Sequence, residues 1–274
     1  MTSEEQQKIE RAIAEGYPHS SSVCLMEGLR IYRQHFRDFA LFALIVPLAG
    51  SLLSLLGLDI WGTLFLTLVV SPVLNAGFYL AAASVANQEE WRFRRFFDGL
   101  PLALPLILNS LLGIVIMAII LIPMYFLFQK VGLVEWYYEV VAHPEDPPAP
   151  PLLETRESLI FFLNLVPLIY LQIGFSWAFP LILFSGANAF SALEYSRRLV
   201  TRRWWPQFML LLTFFSMFMV ASIMLSPLTL ISPGLANFGT FGLFLIIPWA
   251  YCSLYVGFQN ALPPPPPPEE NFGW

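Results

Sequence analysis

Long apolar stretches without charge constrain this chain more than any other feature. Six segments contain no Lys, Arg, Asp or Glu, namely residues 39–58, 60–86, 100–128, 159–184, 208–231 and 238–262. Each is long enough to cross a hydrocarbon core, which takes about 20 residues of helix. With 57% hydrophobic and 12% charged residues, the composition is typical of a membrane protein and not of a soluble domain. The sequence predicts an all-α, polytopic membrane helix bundle with six transmembrane helices.

The first two segments are separated only by Asp59, between Leu58 and Ile60. A tight hairpin at this point gives two spans. A single bent, re-entrant unit is the alternative, and this is the least certain boundary in the chain.

Basic residues predict the orientation of the bundle. Twelve of the fourteen Lys and Arg lie before the first span, between the second and third, or between the fourth and fifth, so all twelve fall on one side. Only Lys130 and Arg156 lie on the other side. By the positive-inside rule, both termini and the three basic segments are cytoplasmic.

The chain divides into three regions on this interpretation. Residues 1–27 form an N-terminal helix and linker, in which Ser3 and Gln6 resemble a capping box and Gly16 ends a helix over 3–15. We expect this helix to dock on the membrane domain or on the bilayer surface. Residues 28–262 form the membrane domain, with an acidic, proline-rich outer loop at 129–158. Residues 263–274 form a polyproline tail, either plainly exposed or a docking peptide.

The basic segments indicate an internal repeat. Each precedes an odd-numbered span, so the bundle is predicted to contain three pseudo-repeats of an interfacial basic helix plus a helical hairpin, beginning at Gly28, Glu89 and Ala192. In the third segment, residues 192–208, a helix would place Leu193, Leu199, Val200 and Trp204 on one side, which suits a helix lying in the membrane interface.

Each even-numbered span also carries two small residues four positions apart, a spacing that lets helices pack closely. These predicted packing positions are Gly77 with Ala81, Gly174 with Ala178, and Ser253 with Gly257.

The arginines of the basic segments have two interpretations. They set the topology, or they also converge on anionic lipid headgroups or an acidic partner, since Arg binds phosphate in a bidentate manner. The candidate headgroup ligands are Arg30, Arg33, Arg37, Arg92, Arg94, Arg95, Arg197, Arg198, Arg202 and Arg203.

The sequence contains no pattern that predicts a catalytic site, a metal site or a cofactor. The three histidines are isolated, and the basic patches are too short to predict nucleic-acid binding. Among polar residues inside spans, Asn75, Asn109 and Gln172 either bond between helices or line a cavity for a neutral or lipidic solute. Prolines within spans can kink helices and open such a cavity.

Several short motifs resemble a known family. These motifs are IERAIAEGY at 9–17, GLRIYRQHF at 28–36, the residues from Gly77 to Tyr79, and Ala192, Leu193, Ser196, Leu199, Trp204 and Trp205. Together they resemble uncharacterised bacterial six-span proteins, which are themselves similar to the membrane domain of glycerophosphoryl diester phosphodiesterases. The resemblance implies a helical bundle in a bacterial cytoplasmic (inner) membrane, with an accessory role near lipids. It implies no activity, because the soluble metal-binding barrel of those enzymes has no counterpart here. The family often has a Lys-Gly-like pair of residues before the two aromatic residues. This chain has Arg202 and Arg203 there, which favours a helix that continues to Trp204.

These observations predict a non-enzymatic membrane protein with a scaffolding or accessory role that contacts membrane lipids, with a membrane-protein partner or a second copy of the chain as further candidates. A transporter or flippase-like carrier of a lipid or apolar solute is the alternative. A membrane-embedded enzyme comes third.

Overall fold

The computed structural model describes residues 1–143, 145–227, 232 and 241–263. The described residues are mostly helical and contain no strand. Six helical stretches are long and apolar enough to cross a membrane: Phe36–Leu53, Ile60–Ala86, Phe93–Lys130, Thr155–Ser185, Trp204–Leu225 and Phe241–Ala261. The predicted all-α, six-span class is therefore confirmed. Parts of the last two predicted spans, at 228–231 and 238–240, Pro144 in the outer loop, and the tail from residue 264 lie outside the described residues.

The α-helices, in chain order, are α1 (Ser3–Glu15), α2 (Ser21–Gln34), α3 (Phe36–Ala43), α4 (Ile45–Leu55), α5 (Asp59–Phe65), α6 (Ser71–Ala86), α7 (Ala103–Lys130), α8 (Leu133–Ala142), α9 (Thr155–Gly174), α10 (Ala178–Ser185), α11 (Ala189–Arg202), α12 (Trp204–Leu225) and α13 (Ile246–Ala261). A π-helical turn, Leu66–Val70, joins α5 to α6, and 3₁₀ turns occupy Phe93–Phe97, Leu100–Leu102 and Phe175–Trp177.

Helix α1 has the predicted bounds but a different cap. The hydroxyl of Thr2, not Ser3, accepts a hydrogen bond from the backbone N–H of Glu5 at 3.2 Å. The cap precedes the first helical residue because its own backbone must be extended, as Thr2 is. Gly16 ends the helix with a positive φ of 80°.

Prolines divide the spans into shorter helices. Pro47, Pro72, Pro180, Pro206 and Pro248 all occupy the second or third position of their helices. Proline is tolerated there because the first N–H groups of a helix have no partner within it. Only Pro123 and Pro167 lie inside described helices. Most of these prolines therefore begin a helix instead of kinking one.

The first two spans are joined by a tight turn at residues 56–58, where Gly57 has a φ of 72°. Helices α4 and α5 pack against each other across it, with Gly62 close to the side chain of Leu53. The helical stretch on each side of this turn is long and apolar enough to cross a membrane, as the prediction of a hairpin requires.

The outer loop contains a helix that the sequence analysis did not predict. Helix α8 fills its first part, and the indole of Trp136 donates a hydrogen bond to the carbonyl of Pro148 at 2.8 Å. The described residues from Pro147 to Glu154 are not helical.

The third basic segment is not one helix, and the prediction of a helix continuing to Trp204 is wrong. Helix α11 ends at Arg202, Arg203 is non-helical with φ −133°, and α12 begins at Trp204. Pro206 explains the break, because its ring would clash with the carbonyl of Arg202 in a continuous helix. The predicted apolar side is partly correct, since Leu193, Leu199 and Val200 are buried.

The contacts divide the chain into two compact units. One comprises Met1–Ser110 with Ile173–Trp274, and the other Leu111–Gln172. In the second unit, Phe128 stacks on Phe161, and Lys130 pairs with Glu157 at 3.3 Å. All the interactions described below lie within the first unit.

Helix α2 packs along α13, and this is the most extensive helix contact in the first unit. The two run antiparallel: His19 lies beside Gly257, Gly28 beside Ser253, and the Tyr32 hydroxyl donates to the carbonyl of Leu245 at 3.0 Å. A Cβ on Gly28 would lie 2.6 Å from the backbone N and Cα of Ser253. Only glycine therefore permits this approach.

We predict opposite effects for two Gly→Ala substitutions inside helices. Alanine favours a helix by roughly 1 kcal/mol over glycine, but in Gly28→Ala the new methyl must push α2 away from α13. Gly113→Ala meets nothing within 4 Å. In detergent, G28A should lower the Tm by several degrees, while G113A should leave it unchanged or raise it. An unchanged Tm in G28A would show that the close approach does not matter for stability.

Candidate functional site

The arginines of the third basic segment hold the N-terminal region. Arg198 forms a bidentate pair with Glu10 of α1 at 2.9 and 2.8 Å. The Nε atoms of Arg202 and Arg203 donate to the carbonyls of Ile13 and Tyr17, and the Tyr17 hydroxyl donates to the carbonyl of Leu199 at 2.9 Å. We expected α1 to dock on the membrane domain or on the bilayer surface. In the structure α1 lies on α11, which belongs to the membrane domain.

The remaining arginine of this segment, Arg197, is bonded within its own helix. Its guanidinium donates to both oxygens of Glu194, at 2.9 and 2.7 Å, and holds the pKa of that carboxyl below its usual value. The polar face of α11 is thus largely occupied by protein groups. These contacts use both Nη atoms of Arg198 but only the Nε atoms of Arg202 and Arg203.

The predicted small-residue positions lie where the basic segments approach the even-numbered spans. A Cβ on Gly77 would overlap the carbonyl oxygen of Phe96, from the second basic segment, and one on Gly174 would touch Arg197, from the third. Ser253 and Gly257 face α2 and His19, as described above. Ala81 and Ala178 are fully buried or nearly so. The basic segments therefore pack against spans through close contacts.

The first and second basic segments meet around Trp91. Its indole donates to the carboxylate of Asp38 at 2.7 Å and stacks on His35 with ring centroids 4.1 Å apart. Phe42 and Phe96 stack beneath at 4.2 Å. This aromatic cluster fixes the start of α3 against the 3₁₀ turn at Phe93–Phe97.

Two Phe-Arg pairs border this cluster. Phe36 and Phe93 are 45% and 41% exposed, and each is followed by an exposed arginine, Arg37 and Arg94. Within the described chain no carboxylate lies within ion-pair distance of Arg37 or Arg94. We call Phe36, Arg37, Phe93 and Arg94 the Phe-Arg surface.

The other arginines of these two segments differ in their partners. Arg30 pairs with Glu27 at 2.7 Å, Arg92 with Glu90 at 2.7 Å, and Arg95 with Glu89 at 2.9 Å and Asp98 at 3.3 Å. Arg33 is exposed and has no such partner in the described part of the chain.

A serine from α11 satisfies the break in the fourth span. Ser196 Oγ donates to the carbonyl of Gly174 at 2.6 Å and accepts from the backbone N–H of Trp177 at 3.0 Å. The carbonyl of Gly174 precedes the 3₁₀ turn Phe175–Trp177, and the N–H of Trp177 lies at its end. Helical hydrogen bonds are interrupted at this turn. Within a span, such backbone groups must be satisfied by protein.

Next to this break lies a buried cluster that the sequence analysis missed. His19 and Trp177 contact each other with ring centroids 5.6 Å apart, and both touch Gly257. Gln207 is fully buried and its amide donates to Ser176 Oγ at 2.8 Å. His19 Nε2, Trp177 Nε1 and Gln207 Oε1 have almost no accessible surface, and no described residue hydrogen-bonds to these atoms.

Burial controls the titration of this cluster. It lowers the pKa of His19 to about 4, with a further lowering from Arg203 opposed by the amide of Gln207. It also raises the pKa of Cys24, whose sulfur lies 3.9 Å from His19 Nδ1, to about 11. The imidazole is therefore neutral and the thiol protonated near pH 7. No sequence signal links these residues, because His19 and Gln207 are far apart in the chain.

The three predicted cavity residues line neither the cleft along α12 nor the groove on α2. Asn109 is buried and its amide donates to the carbonyl of Ala189 at 2.7 Å, Asn75 is half-buried, and Gln172 is exposed. An open cleft of about 600 Å³ lies instead along α12, where it is lined by Met209, Met217, Met224 and other mainly apolar side chains. A second groove, of about 570 Å³, is lined by Met26, Glu27, Leu29, Arg30, Arg33 and Gln34 of α2.

Within the described residues, no three His, Cys, Asp or Glu side chains are grouped so that they could hold a metal ion. Comparison with known proteins adds no assignment: no family model, no curated protein and no solved structure matches the chain. The similarity to the membrane domain of the phosphodiesterases stays a prediction. Fold and composition define the class: a multi-pass, all-helical integral membrane protein.

The Glu10–Arg198 pair predicts how far a single substitution loosens α1 from α11. An ion pair this exposed contributes at most about 1 kcal/mol, so Glu10→Gln should accelerate tryptic cleavage after Arg11 by no more than about fivefold. Glu194→Gln is the matched control, because it removes a bidentate pair made within one helix. Equal cleavage rates in the two variants would contradict a role of Glu10 in holding α1.

His19 predicts a pH dependence of stability. Its folded pKa of about 4 lies below the ordinary value of about 6.5, so the unfolded chain binds more protons between these values. Stability from neutral His19 is therefore complete above pH 6.5 and is lost as the pH falls to 4. The Tm difference between wild type and His19→Gln should shrink over that range. His143→Gln, in the outer loop, should follow the wild-type profile; a parallel loss in H19Q would contradict the assignment.

Proposed function

We propose that this protein is a non-enzymatic membrane protein with an accessory or scaffolding role, and that it contacts lipid headgroups through arginines of its cytoplasmic segments. The Phe-Arg surface carries this proposal. It offers two cations without carboxylate partners in the described chain, each next to an exposed aromatic ring.

Such a pairing suits the headgroup layer. An aromatic ring can enter the boundary between headgroups and acyl chains while the adjacent guanidinium binds phosphate. The Trp91 cluster supports the surface by fixing both segments, so only the two arginine side chains have to be ordered when lipid binds. By the positive-inside rule we expect this surface on the cytoplasmic side, where anionic lipids give a negative potential.

The contacts of the third basic segment narrow the set of arginines that are suitable for testing headgroup binding. Because Arg198, Arg202 and Arg203 bind the N-terminal region, their replacement would release α1 as well as change any lipid contact. A test of lipid binding is cleaner at Arg37 and Arg94.

A carrier of lipid or apolar solute is the second candidate function, and the cleft along α12 favours it. The cleft's lining is almost wholly apolar and includes three methionines, whose flexible side chains adapt to varied shapes. Movement of a fluorescent phospholipid between the leaflets of protein-containing liposomes would favour this function over the first.

We predict that Arg37→Gln/Arg94→Gln weakens retention of anionic lipid. Native mass spectrometry in mild detergent with phosphatidylglycerol should show severalfold fewer bound lipids than the wild type, because two phosphate ligands are lost. Retention of zwitterionic phosphatidylcholine should change less.

The control is Lys130→Gln/Arg156→Gln, which removes the same charge from the outer loop and should retain lipid as the wild type does. If R37Q/R94Q and the control retain phosphatidylglycerol equally, the Phe-Arg surface is not a headgroup site.

A further inference from the structure

Two of the even-numbered spans are longer than a hydrocarbon core requires. Ile60–Ala86 has 27 residues and Thr155–Ser185 has 31, which correspond to about 40 and about 46 Å of helix against a core of about 30 Å. Tilting alone would need angles of about 42° and about 50°, whereas membrane helices are tilted by about 20° on average. Part of each stretch is therefore expected outside the hydrocarbon.

Burial indicates which part of each span this is. In the second span, Ile60 and Trp61 are more than 70% exposed, as contact with lipid allows. By contrast, residues 77–85 of the same span are buried except for Leu80, and residues 252–258 of the sixth span are all buried. These ends are enclosed by protein, and they are the ends next to the basic segments.

The enclosed ends of the three even-numbered spans pack against one another. Tyr79 of the second span contacts Tyr251 of the sixth, with ring centroids 5.1 Å apart, and its hydroxyl donates to the carbonyl of Ser176 in the fourth at 3.3 Å. Phe184 of α10 contacts Tyr255 of α13 with ring centroids 5.6 Å apart. The three ends thus form one core.

A basic segment covers each end of this core. Helix α2 packs along α13, α11 along α10, and the turn Phe93–Phe97 along α6. On their outer sides these segments expose Arg33, Arg202 and Arg94. An arginine that faces acyl chains is costly, so covers of this kind are expected in the headgroup layer or in water. Since each cover lies alongside the span end that it packs on, that end lies outside the hydrocarbon too.

We infer that these ends of the second, fourth and sixth spans leave the hydrocarbon and form a closed protein core in the headgroup layer and the water beyond it. The core comprises residues 77–86, α10 and residues 249–261, and the basic segments are its water-facing cover. The second span then crosses the hydrocarbon with residues 60–76, about 26 Å of helix, without strong tilt. The inference does not depend on lipid binding by the Phe-Arg surface.

This core changes what each candidate function requires. Because Tyr79 contacts both other span ends, a carrier would have to separate three packed ends to open a path between these spans. The exposed face of α2 becomes a surface open to water-soluble partners and closed to acyl chains.

Cysteine labelling in nanodiscs tests the position of the core. Met26 of α2 and Phe184 of α10 are 70% and 37% exposed, and Phe215 and Phe218, in the middle of α12, match them at 60% and 38%. A charged, membrane-impermeant maleimide should label Met26→Cys and Phe184→Cys at least tenfold faster than Phe215→Cys and Phe218→Cys, because it reacts with thiolate in water. The native cysteines are both buried and give a low background.

Leu152→Cys, in the outer loop and 94% exposed, verifies that the reagent is active. If M26C or F184C is labelled as slowly as its α12 counterpart while L152C reacts, that span end lies in the hydrocarbon and the inference is overturned. M26C keeps the test decisive if F184C does not fold, since Met26 lies on the exposed face of α2. Neither result bears on the Phe-Arg surface, whose test measures lipid retention in R37Q/R94Q.

Discussion

The close approach of α2 to α13 at Gly28 and Ser253 is the contact on which the first unit depends. It joins the beginning of the chain to its last described span, and further hydrogen bonds follow along the same interface, including the Trp249 indole to the Leu25 carbonyl at 3.0 Å. Small residues let helix backbones approach closely, and this proximity, together with buried hydrogen bonds, holds the two helices together. The N-terminal linker and the broken fourth span pack near Gly257 of α13, whereas Phe214 of α12 contacts it at Trp249.

The spans could be predicted from sequence because the bilayer imposes a simple rule on length and charge. The second span matches its prediction at both ends, Ile60 and Ala86, since charged or polar residues border it closely. The internal breaks were less visible. Prolines within spans can kink helices, whereas most of these begin helices, and Pro206 lies at the third position of α12, just after the break at Arg203. A proline in the sequence shows which residue cannot donate a backbone hydrogen bond. Whether that proline lies at the start of a helix or inside it depends on packing.

The candidate site could be predicted only in part. Composition identified the basic segments, but a charge pattern does not name the partner of each arginine. Glu10 and Arg198 are 188 residues apart, and nothing in either neighbourhood marks the pair. The Phe-Arg surface depends on which arginines have carboxylate partners, and the sequence does not give those partners. Likewise, His19 looked isolated because Trp177 and Gln207 come from distant spans.

The order of synthesis gives the α2–α13 contact a further consequence. Leu25 leaves the ribosome 224 residues before Trp249, its hydrogen-bond partner. At about 5–20 residues per second, that interval is about 11 to 45 s. For all of that time α2 lacks the helix that covers its buried face, so the newborn protein has to hold an unfinished apolar surface at the membrane. The contact between α2 and α13 therefore cannot form until α13 has been synthesised, and a chain truncated before α13 leaves the buried face of α2 uncovered.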